Sequence, residues 1–321
     1  MIKVYLHTRM GMEFLENVMS KVIILGGNGF IGRNLAEVLL NRGHDTYSFD
    51  LNKPLKPIEG IHYISGDFFD DYVLEHAVEG MEIVYHCICT MNPGNSNEKY
   101  IMGYERDLIQ TIKLCDILKR KSVKMIFLSS GGTVYGKQEC LPVKEDSLPV
   151  PINHYGNLKL YIENLKRVFR YQNHLDFLIA RISNPYGPEQ DYKKGVGFID
   201  AAIKRAMNGE SIEVWGNGNI VRDYIYISDV CQALATLGEN VVPYDIVNIS
   251  SGRGVSQKEV LNIIQKYFPN MKVEYRAARS VDTDKIYLCN ERLKKIWKQP
   301  MITLENGIEL YYQYLIENRN E

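Results

Sequence analysis

Tyr155 and Lys159 stand four residues apart in the run Tyr155-Gly156-Asn157-Leu158-Lys159. On a helix that spacing puts both side chains on one face, so they can enter one cleft together. A tyrosine with a pKa near ~10 is a poor base at neutral pH. A lysine ammonium beside it favours the phenolate and draws that pKa down, which makes the tyrosine an acid–base group for a substrate hydroxyl. The same spacing also describes an ordinary exposed helix pair, so the neighbours decide between the readings. Upstream, an apolar run at 125–129 leads into Ser129-Ser130-Gly131-Gly132-Thr133-Val134-Tyr135-Gly136. A hydroxyl-rich loop at the end of a strand is where a substrate oxygen needs a donor.

A second group of residues points to a cofactor. Gly26-Gly27-Asn28-Gly29-Phe30-Ile31-Gly32 follows the apolar run 22–25 and opens a helical stretch. This is a G-x-G-x-x-G turn with the flanking strand and helix that such a turn requires. Its glycines let the backbone of Gly26, Asn28, Gly29, Phe30 and Ile31 approach a pyrophosphate, and the helix aims its N–H groups at that anion. Asp50 ends the next strand, where a carboxylate binds an adenosine ribose diol and repels a 2′-phosphate, so the expected cofactor is NAD. After a further strand, Gly66 precedes Asp67, a candidate for the adenine amino group, with the backbone of Phe68 for the ring nitrogen.

These residues need a parallel sheet behind them. Strands are predicted at 22–25, 46–49, 62–64, 83–86, 125–129 and 177–181, alternating with helices at 30–41, 70–78, 104–119 and 155–171. Alternation of this kind gives an α/β fold, a doubly wound parallel sheet covered on both faces. After about residue 182 the texture changes to turn-rich pieces such as Asn184-Pro185-Tyr186-Gly187-Pro188. The expected division is a cofactor-binding Rossmann domain over 19–182 and a smaller C-terminal substrate-binding lobe over 183–321, its segments interleaved with the first. Residues 1–18 read either as an N-terminal extension without a catalytic role or as a short extra helix or edge strand.

The 321 residues are 45% hydrophobic and 24% charged, with a formal net charge of −1. That mix suits a globular protein with a core, and gives no pull toward nucleic acid or an anionic membrane. Six scattered cysteines form no Cys-x-x-Cys pair, so neither a metal site nor a disulfide framework is expected. No apolar run reaches the ~18 residues a spanning helix needs, and the expected location is cytoplasmic.

Taken together, the motifs resemble the extended short-chain dehydrogenases, the family of nucleotide-sugar epimerases and dehydratases. The resemblance runs from Lys21 to the end of the chain. Beyond the residues above it rests on Val84-Tyr85-His86, Arg181-x-x-Asn184-Pro185-Tyr186-Gly187-Pro188, Gly216-Asn217-Gly218, the run from Arg222-Asp223-Tyr224 to Asp229-Val230, and Val247-Asn248-Ile249. It implies that Asn184 touches the substrate's diphosphate or sugar, and that Arg222 pairs with a phosphate unless it is spent on Asp223. It further implies Arg279 on the diphosphate and Asp282 on the nucleoside ribose. A homodimer built from the helices near 104–119 and 155–171 is implied as well.

One position departs from the family. Epimerases of this kind carry a serine or threonine where this chain has Gly131. Thr133 is the favoured substitute and Ser130 the other; a further reading is that Gly131 opens room beside the sugar. The acidic pair of the dehydratases is absent between Ser129 and Gly136. The resulting expectation is NAD-dependent 4-epimerisation of a UDP-hexose or UDP-N-acetylhexosamine, with Tyr155, Lys159 and Thr133 as catalytic residues. The alternatives are an NAD(P)H-dependent 4-ketoreductase of a nucleotide-linked deoxysugar and a non-catalytic NAD-binding scaffold.

Overall fold

The computed structural model describes residues 19–277 and 283–319, together with the backbone of residues 5–8 and 11–14. Seven strands form one parallel sheet: β1 (Lys21–Leu25), β2 (Asp45–Asp50), β3 (His62–Ser65), β4 (Ile83–His86), β5 (Lys124–Ser130), β6 (Asp176–Ile182) and β7 (Ile246–Ile249). Their spatial order is β7-β6-β5-β4-β1-β2-β3. The order reverses at β1, which lies between β2 and β4, and a crevice opens there at the strands' carboxyl ends.

Burial on both faces explains the continuous apolar runs. Val22 and Ile24 of β1 face one core with helices α1 (Phe30–Asn41) and, later in the chain, Ile227–Glu239. Ile23 and Leu25 face the other core, which holds Leu114 and Leu118 together with Leu158 and Ile162 of α2 (His154–Asn173). The six expected strands lie where the sequence places them, to within a residue at each end.

The helix expected over 104–119 differs. Helical structure starts at Ser96, widens into a π-helical turn over Gly103–Leu108, and returns to α geometry over Ile109–Leu118. A 3.6-residue period carries no sign of such a turn.

After β6 the chain leaves the sheet. A separate core of Tyr186, Ile199, Ile203, Val214, Val260, Ile264, Ile308 and Tyr311 joins helices Phe198–Met207, Gln257–Ile264 and Leu304–Glu317. In between, the chain returns to the sheet for α3 (Ile227–Glu239) and β7, whose Val230, Leu234, Val247 and Ile249 belong to the first core.

Candidate active site

The glycine turn is a cradle of bare backbone. Gly26 takes φ +88°, a value that L side chains rarely adopt. A Cβ at Gly32 would stand 2.2 Å from the Gly26 carbonyl oxygen, and one at Gly27 would stand 2.0 Å from the Ser48 hydroxyl. α1 begins at Phe30 with Gly29 as its N-cap, and no side chain caps it. Its first N–H groups and the positive end of its dipole are therefore directed at the turn, the donor set a pyrophosphate needs. Asp50 ends β2 beside this turn. Its Oδ2 accepts from Asn28 N at 3.0 Å, and its Oδ1 accepts from Leu51 N at 2.8 Å. The Asn28 backbone amide thus holds the Asp50 carboxylate in place. These residues fit an NAD molecule. Farther along the sheet edge, Asp67 caps its own loop through Phe69 N at 3.0 Å, while the Phe68 ring is buried in the second core.

Tyr155 and Lys159 share the first turns of α2. Asn153 caps that helix by accepting from Gly156 N at 2.8 Å. Gly156 is required here, because a Cβ would approach the Thr133 carbonyl oxygen to 2.5 Å. The close approach seats the hydroxyl loop against the turn that carries Tyr155. Lys159 is buried, donates from Nζ to Leu128 O at 2.9 Å, and lies 4.7 Å from the Phe127 ring and 5.7 Å from the Tyr155 ring. Burial pulls its pKa down, but the acidic groups around it, Asp107 among them, raise it by more, so Lys159 stays an ammonium. For Tyr155 the direction differs from the sequence expectation. Burial holds the phenol above its ordinary pKa, and Lys159 opposes that rise without overcoming it.

Thr133 and Gly131 fare differently. The Thr133 hydroxyl is buried and has no hydrogen-bond partner among the described residues. A buried donor left unmatched is costly, so this one is available to a ligand. Gly131 opens no room: a Cβ there would stand 2.2 Å from Leu288 Cδ1, and Gly131 N donates to Ile182 O at 2.8 Å. The Leu288 side chain fills the space that the missing residue leaves.

Asn184 projects its amide toward the same loop. Its Nδ2 donates to Asp223 O at 2.9 Å, and its Oδ1 lies 3.8 Å from the point a Gly132 Cβ would occupy. Arg222 donates from Nη1 to Val221 O at 3.0 Å and Thr283 O at 2.7 Å. The Asp223 carboxylate turns elsewhere, accepting from Ser183, Ser251, Gly252 and Leu288. It ties the ends of β6 and β7 to the segment bearing Leu288, and burial raises its pKa to about 6. Arg279 and Asp282 lie outside the described residues.

A buried network behind the site escaped the sequence reading. Glu163, two turns along α2 from Tyr155, accepts from Ser129 Oγ at 2.5 Å and from Arg181 Nη2 at 2.6 Å. The Arg181 guanidinium lies 4.6 Å from the Tyr135 ring, and Tyr135 donates to Asn248 Oδ1 at 2.7 Å. One network therefore joins α2, β5, β6, β7 and the hydroxyl loop. Ser129, Tyr135, Arg181 and Asn248 each stood in a sequence motif, but Glu163, which joins them, stood in none.

Comparison with known proteins shows the family and the fold. The model of the NAD dependent epimerase/dehydratase family matches residues 22–250. The chain is 28% identical over 309 residues to dTDP-4-dehydro-6-deoxyglucose reductase of Escherichia coli, covering 90% of this chain and 95% of that protein. The crystal structure of UDP-glucose 4-epimerase with UDP-glucose from Thermotoga maritima matches with a TM-score of 0.87 at 25% identity, over 93% of this chain and 99% of that one. UDP-glucose 4-epimerase of Thermus thermophilus in complex with NAD matches with a TM-score of 0.85 at 25% identity, over the same shares. The chain belongs to the NAD-dependent epimerase/dehydratase family, and its cofactor is NAD.

Proposed function

We propose that the protein interconverts two nucleotide-linked hexoses by inverting C4, with a UDP-hexose or UDP-N-acetylhexosamine as substrate. The observation that carries this reading is a buried Thr133 hydroxyl, unpartnered among the described residues, on a residue whose backbone carbonyl packs against the helix turn of Tyr155 and Lys159. Bound NAD supplies reversible hydride acceptance at the sugar's C4. Tyr155 takes the proton of the 4-hydroxyl and later returns it to the 4-keto intermediate. Lys159 keeps its positive charge through the cycle and favours the phenolate. Thr133 donates to the 4-oxygen, with Ser130 as the other hydroxyl in reach of the loop. Arg222 and Arg279 anchor the diphosphate, Asn184 touches the diphosphate or the sugar, and Asp282 takes the nucleoside ribose. The nucleotide stays fixed while the hexose turns, so orientation costs are met once per binding event.

Gly26, Gly29, Phe30 and Ile31 line the pyrophosphate cradle, Asp50 takes the adenosine ribose, and Asp67 and Phe68 take the adenine. Helix faces carrying the exposed Tyr100, Ile101, Tyr161 and Val168 support a homodimer through α2 and the helix before it. Among the described residues no helix is long and apolar enough to cross a membrane, and we place the enzyme in the cytoplasm.

The 28% identity to a deoxysugar reductase supports a second reading, reduction of a 4-keto nucleotide sugar with NAD(P)H. One experiment separates the two. Purified protein is incubated with UDP-galactose or UDP-N-acetylgalactosamine and no added NAD, and the anomeric protons are followed by NMR. The gluco epimer appears if C4 is inverted with retained NAD. No conversion, even with NAD supplied, overturns epimerisation of these donors and moves the test to NADH with a 4-keto nucleotide sugar.

A further inference from the structure

Asp107 lies on the π-helical turn Gly103–Leu108 and is only 3% exposed. Its Oδ2 accepts from Thr90 N at 2.8 Å, Thr90 Oγ1 at 2.9 Å and Cys89 Sγ at 3.4 Å. Its Oδ1 is buried with no hydrogen-bond partner among the described residues. A carboxylate taken out of water with one oxygen unmatched is expensive, and an amide of the same shape would hold the same loop without the charge.

The backbone of Asp107 is fixed as well. The Thr111 hydroxyl donates to Asp107 O at 2.7 Å, and His86 Nε2 lies 3.0 Å from that hydroxyl. Because the Thr111 proton is committed, His86 carries its own proton on Nε2 and donates. The loop Asp107 holds, residues 87–90, leaves the carboxyl end of β4. On one side it meets the glycine turn, where a Gly26 Cβ would come within 3.0 Å of Ile88 Cγ1. Cys89 and Tyr155 both pack against the second core.

We propose that Asp107 is a positioning residue: its Oδ2 clamps the 87–90 loop between the cofactor cradle and Tyr155, and its negative charge opposes Lys159 at the Tyr155 phenol. The inference rests on Tyr155 as the proton-transfer group. The titratable groups facing Tyr155 are Lys159 from its own helix, Cys89 from the loop and Asp107 from the π-helical turn; Cys87 and His86 face Lys159 in turn. Burial raises the Cys87 and Cys89 thiols to about 12 and about 11 and lowers His86 to about 3, so all three are neutral at working pH. Among these groups Asp107 supplies the negative charge and Lys159 the positive one.

The test compares full-length, NAD-loaded wild type with Asp107→Asn, which keeps an acceptor for Thr90 and removes the charge. Tyr155 ionisation is read as the ultraviolet phenolate absorbance that each protein shows beyond its Tyr155→Phe counterpart. With Asp107→Asn the Tyr155 titration moves down by roughly 0.5–1 pH unit, the size of one charge acting over several ångströms. The acidic limb of kcat/KM moves the same way, and Asp107→Glu restores the wild-type curve. Asp107→Ala gives the same shift and also loses NAD on gel filtration. Should Asp107→Asn fail to fold, Asp107→Ser is read in its place. Tyr155 titrating at or above its wild-type pH in the uncharged variant overturns the proposal. If no nucleotide sugar is turned over by the wild type, the proposed function fails while the absorbance titration still decides the role of Asp107.

Discussion

The two ends of the cleft are held by different physics. At the cofactor end, backbone does the holding: Gly27 and Gly32 leave no room for a side chain, Gly26 takes φ +88°, and an uncapped helix points its N–H groups at the turn. At the chemical end, buried polar side chains do it: Glu163 with Arg181 and Ser129, Asp107 with Thr90, and Lys159 with a strand carbonyl. Shape tolerates changes of pH and salt but no added atom. Charge tolerates small changes of shape but depends on protonation and on each partner staying present. The same fold therefore offers a shaped backbone cradle at one end and sets proton affinities at the other.

The largest expected effect comes from removing the proposed proton acceptor. Tyr155→Phe lowers turnover by about 10²–10⁴-fold, the usual contribution of a general base, while NAD content measured after denaturation is unchanged. An equal loss of NAD would make Tyr155 a cofactor-end residue and blur the contrast.

Next is the buried ion pair. Glu163→Gln leaves Arg181 charged without its carboxylate and lowers stability by about 3–5 kcal/mol in chemical denaturation. Replacing both residues with apolar ones of similar size loses much less. A small loss for the single variant would show that the network is wetter than its burial implies.

At the cofactor end, Gly32→Ala forces a methyl into the Gly26 carbonyl, costs about 1–3 kcal/mol, and weakens NAD retention at every pH. A pH-dependent NAD loss in this variant would break the distinction between the two ends.

A smaller effect concerns acid. His86 is buried and uncharged, its pKa lowered to about 3 by burial and by the Lys159 charge. The unfolded chain takes up the proton near ~6.5 and the folded one does not, so stability is full above that pH and falls as pH drops toward the folded value. Between pH 7 and 5 the loss is on the order of 2 kcal/mol, and His86→Gln flattens it in parallel melts.

What the sequence reveals follows the same divide. Strand β1 carries the apolar run 22–25 and β4 the run 83–85, and the glycine turn is a contiguous pattern, so all are readable locally. Strand β7 was not among the expected sheet strands. It is short, and its buried Asn248 looks polar until Glu145, Val143 and Cys289 are seen to satisfy it. Glu163 and Arg181 meet across a helix and a strand, and no periodicity announces such a pair. Leu288 reaches Gly131 from a distant segment, which is why the glycine suggested free space that the fold has filled.

The most direct test of the account follows a label at the reacting carbon. A UDP-hexose deuterated at C4 is converted in ordinary water by protein carrying only its retained NAD. The account predicts a product epimer that keeps its deuterium at C4, with a slowed turnover that reports hydride transfer at that carbon. Loss of the label to water, or inversion with full speed and label at another carbon, would contradict the assignment of Tyr155, Lys159 and Thr133 to oxidation and reduction at C4.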